Sequence, residues 1–259
     1  MSLEFIKPQL ATAVDHPPPR SGWIHEVKHD GYRTLLTMER RTARAFTRNG
    51  FDWSDHYAGI TRAAAKLDCR SAIIDGEVIV QNERGVSDFE SLKSAIRWRP
   101  QKLIFCAFDL LHLNGKDLRD QPLQARRATL KELVPTEHPF MFSEEFIGDA
   151  APFFQACADH QLEGIVSKLA SSKYRSGRSK TWLKTKALLK ARISSSALRV
   201  IAKQKRRSRC WRGLTLWGWH MQARPSSRSP GPKELNSAPD FKSSNAPPFL
   251  HCDFLMLSG

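Results

Sequence analysis

The residues best suited to chemistry lie at 26–33, which read E-V-K-H-D-G-Y-R. Lys28 stands between two runs rich in β-branched and aromatic residues, 23–27 and 33–39. This pattern predicts a bend between strands, at which Gly31 permits a positive φ. A lysine held rigidly at such a bend is a candidate nucleophile that bonds covalently to its substrate. The alternative for K-x-D-G alone is a surface lysine in a hairpin loop.

A lysine nucleophile needs an activating cation. A free lysine with a pKa near 10.4 is only about 0.04% neutral at pH 7. Lowering that pKa to roughly 8 raises the reactive fraction to about 10%, a change of about 3 kcal/mol. The carboxylates of Glu26 and Asp30 favour the ammonium instead. We therefore expect other cations around this position.

Lys28 belongs to a set of motifs in a fixed order. They are K-x-D-G-x-R at 28–33, T-R-N-G at 47–50, D-G-E at 75–77, A-F-D-L-L at 107–111, E-G-I-V-S-K at 163–168 and W-L-K-T-K at 182–186. Their order and spacing resemble the covalent nucleotidyltransferases, most closely the ATP-dependent DNA ligases of the bacterial ligase D type. The opening F-I-K-P-Q-L-A-T-A-V-D-H-P-P-P and the phrase G-W-I-H-E-V-K-H-D-G-Y-R resemble that subgroup in particular. The resemblance covers about residues 3–186.

The resemblance implies ligation in three steps. Lys28 attacks the α-phosphate of ATP to give lysyl-AMP, the AMP passes to a DNA 5′-phosphate at a nick, and the 3′-hydroxyl then displaces AMP. The implied cofactors are ATP and Mg²⁺ or Mn²⁺. The implied partners are nicked or broken duplex DNA and a Ku-like end-binding protein. The implied processes are DNA repair, DNA recombination and non-homologous end joining. The expected location is the bacterial cytoplasm, at the nucleoid. Two alternatives stay open: a ligase remnant that only binds DNA, and an RNA-ligase or capping-type nucleotidyltransferase.

The other motifs supply further candidate site residues. By the resemblance, Arg48 reaches the ribose or a DNA phosphate, and Phe108 stacks on adenine, a contact worth on the order of 1 kcal/mol. Glu77 is expected to bind a ribose hydroxyl or a metal. Glu163 is the second candidate metal ligand. A glutamate beside a glycine at the start of a strand suits a metal-bound water, because Mg²⁺ keeps most of its waters and takes only one or two carboxylates. The ordinary alternatives are a hairpin turn for Arg48, a solvent-facing strand position for Glu77 and plain core for Phe108. The nucleotide-binding set also includes Glu26, Arg33, Lys184 and Lys186.

The last motif supplies the missing cations. Residues 182–186 alternate, which predicts a strand with Lys184 and Lys186 on one face, about 7 Å apart. Two ammoniums that close need an anion between them. We expect them to bind the α-phosphate, to offset transition-state charge and to disfavour protonation of Lys28.

Composition fits a nucleic-acid enzyme. Of 259 residues, 41% are hydrophobic and 26% charged, near globular averages. The net charge of +15 suits a polyanionic partner, but residues 187–259 hold 13 Lys/Arg and 3 Asp/Glu, which leaves +5 for residues 1–186. No signal peptide or membrane span is predicted. Neither a zinc site nor a disulfide framework is suggested by the scattered Cys69, Cys106, Cys157, Cys210 and Cys252.

The predicted architecture is an α+β adenylation domain of antiparallel sheets flanked by helices, at residues 1–186. Residues 5–14 are expected across its surface, and the charged face of the helix at 122–133 in solvent. Basic residues at 173–180 suit phosphate contacts. The remaining helices are predicted at 54–68, 88–97 and 150–160, and strands at 71–80, 103–111 and 140–146, the first of these interrupted by Asp-Gly.

Residues 187–259 differ in character. They form a basic, Ser/Pro-rich tail without a sustained period, which predicts disorder or degradation. In related ligases this region is an OB-fold domain whose R-x-D-K motif orients the pyrophosphate of ATP. The tail contains neither that motif nor a five-stranded pattern, as if it were replaced or read from a shifted frame. We expect the ATP step to be impaired, and a small cluster of Trp211, Trp217 and Trp219.

Overall fold

The computed structural model describes residues 3–19 and 21–187. The strands are β1 (Gln9–Ala13), β2 (Trp23–Val27), β3 (Tyr32–Glu39), β4 (Thr42–Thr47), β5 (Ser71–Ile79), β6 (Ile104–Leu113), β7 (Lys116–Asp117), β8 (Phe140–Phe142), β9 (Glu145–Phe146), β10 (Gly164–Leu169) and β11 (Gly177–Lys186). The helices are α1 (Ala58–Ala64), α2 (Phe89–Trp98), α3 (Leu123–Leu133) and α4 (Ala150–Asp159), with a 3-10 turn at Pro100–Lys102.

The strands form two sheets. The first has the order β1-β11-β10-β2-β9, in which β10 is antiparallel to β11 and β2, and β1 is parallel to β11. The second has the order β4-β3-β5-β6-β7, with β8 parallel to β6. Neighbours within β4-β3-β5-β6-β7 are antiparallel. The predicted α+β class with antiparallel sheets and flanking helices is therefore confirmed.

The second sheet is buried on both faces. Leu36 on β3 packs in one apolar cluster with Ile60 of α1 and Leu92 of α2. Its neighbour Leu35 points the other way, into a cluster with Trp182 of the first sheet. Successive side chains on a strand face opposite sides, so this sheet lies between the helices and the other sheet.

The helix predictions hold with shorter bounds. The predicted core face of 54–68 is buried at Tyr57, Ile60, Ala64 and Leu67, but α1 begins only at Ala58, after turns that include an Asp52–Ser54 hydrogen bond. Asp88 caps α2, because its carboxylate accepts a hydrogen bond from the backbone N–H of Ser91.

Several predictions were wrong in detail. The Asp-Gly in β5 does not interrupt the strand, which continues through irregular register with β6. Residues 5–14 contain a strand that was not predicted, β1, which pairs with β11 at the edge of the first sheet. The stretch 140–146 is two short strands in different sheets. The charged side chains of α3 are not all in solvent: Arg126 and Arg127 are buried in ion pairs, whereas Lys131 is exposed.

Gly31 was also misinterpreted. Its φ is not positive, whereas seven other glycines of the described chain have positive φ. A Cβ at Gly31 would overlap the carbonyl oxygen of Val78 and the side chain of Ile79. The bend after Lys28 therefore needs glycine because β5 approaches it closely.

The tail and its tryptophan cluster, 188–259, lie outside the described residues. Cys69, Cys106 and Cys157 are free thiols, and Cys210 and Cys252 fall in the part that is not described. None of the helices in 3–19 and 21–187 has the length and apolar character to cross a membrane.

Candidate active site

A cavity of about 280 Å³ lies between the two sheets. Both sheets line it, the first through β1, β2, β10 and β11 and the second through β3, β5 and β6. Of the sequence-predicted site residues, the cavity brings together Glu26, Lys28, Arg33, Arg48, Glu77, Phe108 and Lys184. The six separate motifs therefore converge on one site.

Lys28 follows directly after β2, and its backbone N–H donates to the carbonyl of Gly164 at 2.9 Å. This bond places the start of β10 beside the lysine. Nζ of Lys28 then lies 2.5 Å from Oε2 of Glu163. Gly164 is required here, because its φ is +142° and a Cβ would overlap the backbone of β11 at Thr185.

Lys184 and Lys186 lie on β11 as predicted, although only Lys184 lines the cavity. Burial, together with the charges of Lys28 and Lys186, lowers the pKa of Lys184. Nζ of Lys186 lies 3.3 Å from Oε1 of Glu163. The anion between Lys28 and Lys186 in this structure is thus a protein carboxylate.

Carboxylates other than Glu163 also face Lys28. Burial raises the pKa of Glu77 to about 7, against the opposing charges of Arg33 and Lys28. Burial and the charge of Glu163 likewise raise the pKa of Asp30. No group of three or more His, Cys, Asp or Glu in the described residues could hold a metal ion by itself. A metal here would therefore need ligands from a substrate as well.

Glu26 lines the cavity from β2 and is only 2% exposed. Its Oε1 lies 2.9 Å from Nη1 of Arg127 and 2.6 Å from Nζ of Lys168. Its Oε2 accepts a hydrogen bond from Ser143 at 2.9 Å. These partners were not among the predicted site residues. Lys168 is the last residue of the E-G-I-V-S-K motif, so the motif itself could have identified it as a site residue.

Arg33 forms a bidentate ion pair with the buried Asp75. Its Nε and Nη2 donate to the two oxygens of Asp75, both at 2.6 Å, and the hydroxyl of Tyr174 donates to the same carboxylate at 2.7 Å. The guanidinium carbon also lies 4.5 Å from the centroid of the Phe108 ring. Arg33 therefore fixes the wall of the cavity at Phe108.

Phe108 is 7% exposed and packs edge-on against Trp182, with ring centroids 6.1 Å apart. Nζ of Lys168 lies 4.2 Å from its centroid. Arg48 is exposed and makes no ion pair within the described part of the chain. It is available for an anion at the cavity.

The basic residues at 173–180 do not all face the cavity. Lys173 and Arg175 pair with Asp120, at 3.4 Å and 2.7 Å, whereas Arg178 lines the cavity. Only part of this segment therefore contributes to the candidate site.

The cavity places Lys28 beside further lysines, an aromatic ring and acidic side chains. This arrangement is the one expected of a covalent nucleotidyltransferase. The chain belongs to the ATP dependent DNA ligase domain family, whose model matches residues 8–186. The predicted resemblance to ATP-dependent ligases of the ligase D type is confirmed by this match and by the relatives.

Two relatives show the extent of the likeness. The multifunctional non-homologous end joining protein LigD of Pseudomonas aeruginosa is 37% identical over 190 residues, which are 72% of this chain and 22% of that protein. The SPbeta prophage-derived DNA ligase-like protein LigB of Bacillus subtilis is 29% identical over 185 residues, 70% of this chain and 67% of the relative. The chain spans about a fifth of the length of the LigD proteins it matches.

The fold is similar to a solved structure described as mycobacterial DNA ligase D complexed with ATP and MES. The TM-score is 0.62 at 31% identity, over 69% of this chain and 59% of that one. A second structure, the ligase domain of LigD from M. tuberculosis, gives a TM-score of 0.61.

Proposed function

We propose that this chain is the nucleotidyl-transfer domain of an ATP-dependent DNA ligase, with Lys28 as the nucleophile. The observation that carries the proposal is the position of Lys28 Nζ at the cavity, bonded to Glu163 and within the field of Lys184. The family match at residues 8–186 and the ATP complex of the mycobacterial relative support ATP as the substrate.

In the first step Nζ of Lys28 attacks the α-phosphate, forms an N–P bond and expels pyrophosphate. The amine must first lose a proton, which passes to solvent as the entering phosphate displaces Glu163 from its 2.5 Å contact with Lys28. Lys184 and Lys186 then stabilise the negative charge that develops on the α-phosphate oxygens. Catalysis here depends mainly on position and charge, as elsewhere in phosphoryl transfer.

The base of the nucleotide is expected against Phe108, with Glu26 at its edge. Arg48, exposed at the same cavity, is suited to a ribose hydroxyl or a phosphate. Glu26 and Phe108 both come from strands whose backbones are paired on two sides, so the base subsite is rigid. Rigid donors and acceptors favour one ligand orientation.

A divalent metal such as Mg²⁺ suits the carboxylates near Lys28, of which Glu77 lines the cavity and Glu163 does not. Glu77 and Glu163 would hold it together with phosphate oxygens, because magnesium uses one or two carboxylates and keeps its other positions for water and phosphate. When bound, the metal supplies positive charge beside the phosphates. A bound metal would also favour the ionised form of Glu77, which burial disfavours.

In the later steps the AMP passes from Lys28 to a DNA 5′-phosphate, and a 3′-hydroxyl displaces it to seal the strand. The names of the LigD relatives, which include non-homologous end joining, support broken DNA ends as substrates. A Ku-like end-binding protein is proposed from the sequence resemblance alone. The match to a DNA ligase family favours DNA over the RNA-ligase and capping alternatives.

The test is incubation with α-labelled ATP or GTP, followed by gel analysis for covalent label. We expect label from ATP that acid and hydroxylamine remove, as a phosphoramidate requires, and its loss in Lys28→Ala and Lys28→Arg. Lys93→Ala is the control, because among the described residues its single ion pair is with the exposed Glu90 of α2. Label retained by Lys28→Ala would refute the nucleophile. Preference for GTP would favour the capping alternative, and DNA binding without any label would favour the remnant.

A further inference from the structure

Arg127 on α3 is a buried residue that joins four parts of the fold. It is 2% exposed and donates through Nε to Glu145 at 2.6 Å and through Nη1 to Glu26 at 2.9 Å. It also donates to the carbonyls of Phe108, at 3.0 Å, and Ser143, at 2.6 Å. Arg127 does not line the cavity itself. It therefore acts on the site only through the groups that it holds.

The consequence for Glu26 follows from counting its acceptor positions. An ionised carboxylate offers about four lone-pair sites, two on each oxygen. Oε1 faces both Arg127 and Lys168, and Oε2 accepts from Ser143. Counting the 2.6 Å ion-pair contact of Lys168 together with the hydrogen bond from Arg127, both positions on Oε1 are occupied and one acceptor position remains, on Oε2. Glu26 can thus accept a single further hydrogen bond from a ligand.

That single position distinguishes the purines. Adenine carries one exocyclic amine beside a ring-nitrogen acceptor. Guanine carries two adjacent donors, its ring N–H and its amine, which a carboxylate with two open oxygens accepts together. Closing Oε1 removes the second acceptor. A pocket that leaves a buried polar group of the wrong ligand unpaired rejects that ligand strongly.

We propose that Arg127 is a positioning residue that sets the purine preference of this pocket by occupying Oε1 of Glu26. The inference rests on the proposed function for the identity of the ligand, a purine nucleoside triphosphate. It adds a specificity-determining residue that lies on a helix behind the cavity wall.

Arg126 is a matched control within the same helix. It is fully buried and, like Arg127, makes four hydrogen bonds: two to Asp109, both at 2.8 Å, and two to the carbonyls of Gln121 and Ser172. None of its partners is Glu26 or a residue that lines the cavity. Arg126→Leu thus reports the cost of losing a buried arginine without a change at Glu26.

The experiment measures ATP and GTP for each variant, by equilibrium binding and by covalent labelling, and compares the ratio of the two nucleotides. The ratio does not depend on how much of a preparation is folded. For Arg127→Leu we expect the ATP to GTP ratio to fall about tenfold or more, the size of one hydrogen bond to a charged group. For Arg126→Leu we expect a ratio within about twofold of wild type, the usual scatter of such context effects.

Arg127→Lys and Ser143→Ala carry the test if Arg127→Leu does not fold. Lysine keeps one donor for Glu26, so Arg127→Lys should recover part of the preference. Ser143→Ala reopens a position on Oε2 and should lower the ratio without removing a buried charge.

An unchanged ratio in the folded Arg127 and Ser143 variants would overturn the inference, and so would an equal shift in Arg126→Leu. The proposed function can fail separately. A wild-type chain that binds ATP without forming covalent label would refute the ligase proposal, while its binding ratios would still decide the role of Arg127. A chain that binds neither purine would overturn both.

Discussion

Glu163 bridges two lysines, with Oε2 2.5 Å from Nζ of Lys28 and Oε1 3.3 Å from Nζ of Lys186. One carboxylate thus holds both the candidate nucleophile and a cation of β11. A phosphate that enters between these lysines competes with Glu163 for them. The carboxylate is then free to hold a metal, so one side chain can serve both the ground state and the loaded site.

Glu163→Gln tests this double use. The amide keeps the size of the side chain but cannot neutralise either lysine or bind a metal as a charged ligand. We expect slower labelling from ATP and about tenfold more Mg²⁺ for half-maximal rate, typical of a lost metal-site partner. Glu144→Gln is the control, because its single ion pair within 3–19 and 21–187 is with the exposed Lys131. A magnesium titration unchanged by Glu163→Gln would remove this residue from the metal side.

The motifs were predictable because their information is local. Alternation along 182–186 defines a strand and the shared face of Lys184 and Lys186 without knowledge of its neighbours. The partners of Arg127 were not predictable, because Glu26 lies 101 residues away and the helix pattern alone favours a solvated face. A buried ion pair depends on tertiary contacts, and the periodicity of hydrophobic residues within one segment does not reveal them.

Glu77 predicts a pH-dependent stability in metal-free buffer. Its pKa is about 7 in the folded chain, against 4.5 for an ordinary glutamate, because burial penalises the charge. The folded state thus keeps a proton that the unfolded state releases, and stability that is full below about pH 4.5 falls as the pH rises to 7. We expect Glu77→Gln to flatten this decline and to be more stable than wild type at pH 8.

Urea unfolding at intervals from pH 4.5 to 8, with EDTA present, measures the effect. Glu83→Gln serves as the control, since Glu83 is exposed. A Glu77→Gln chain whose stability declines over this range as steeply as wild type would exclude Glu77 as the source.

Gly31 shows why a correct turn prediction can have the wrong cause. The glycine was expected for its φ, but the structure requires it because β5 passes close to the bend, 47 residues later in the chain at Val78. Sequence alone cannot report such an approach.

We expect Gly31→Ala to lower the free energy of unfolding by about 2 kcal/mol, typical of overpacking. Gly59→Ala is the opposite case, because no atom lies within 4 Å of a Cβ at this α1 position. It should stabilise the chain by about 0.5–1 kcal/mol. Urea midpoints of the two variants give both values. Equal effects would contradict the steric account.

The last prediction separates the two halves of ligation. Residues 187–259 contain no R-x-D-K motif, which in related ligases aligns pyrophosphate as the leaving group. Attack on ATP should therefore be slow in this 259-residue chain. Sealing a nick that already carries 5′-adenylate expels AMP instead of pyrophosphate, so the missing motif is not needed. We expect pre-adenylated nicks to be sealed faster than plain nicks supplied with ATP.

Salt distinguishes the contribution of the basic tail. We expect its 13 Lys/Arg to hold DNA through non-specific phosphate contacts, whose strength falls steeply between about 50 and 200 mM salt as counterions are released. Sealing of the pre-adenylated nick should therefore decline over this range, whereas labelling from ATP, which needs no DNA, should change little. The measurement is the rate on both substrates at low and high salt. If plain nicks with ATP were sealed as fast as pre-adenylated ones at low salt, the tail would be supplying what the motif supplies in related ligases, and the slow step would lie elsewhere.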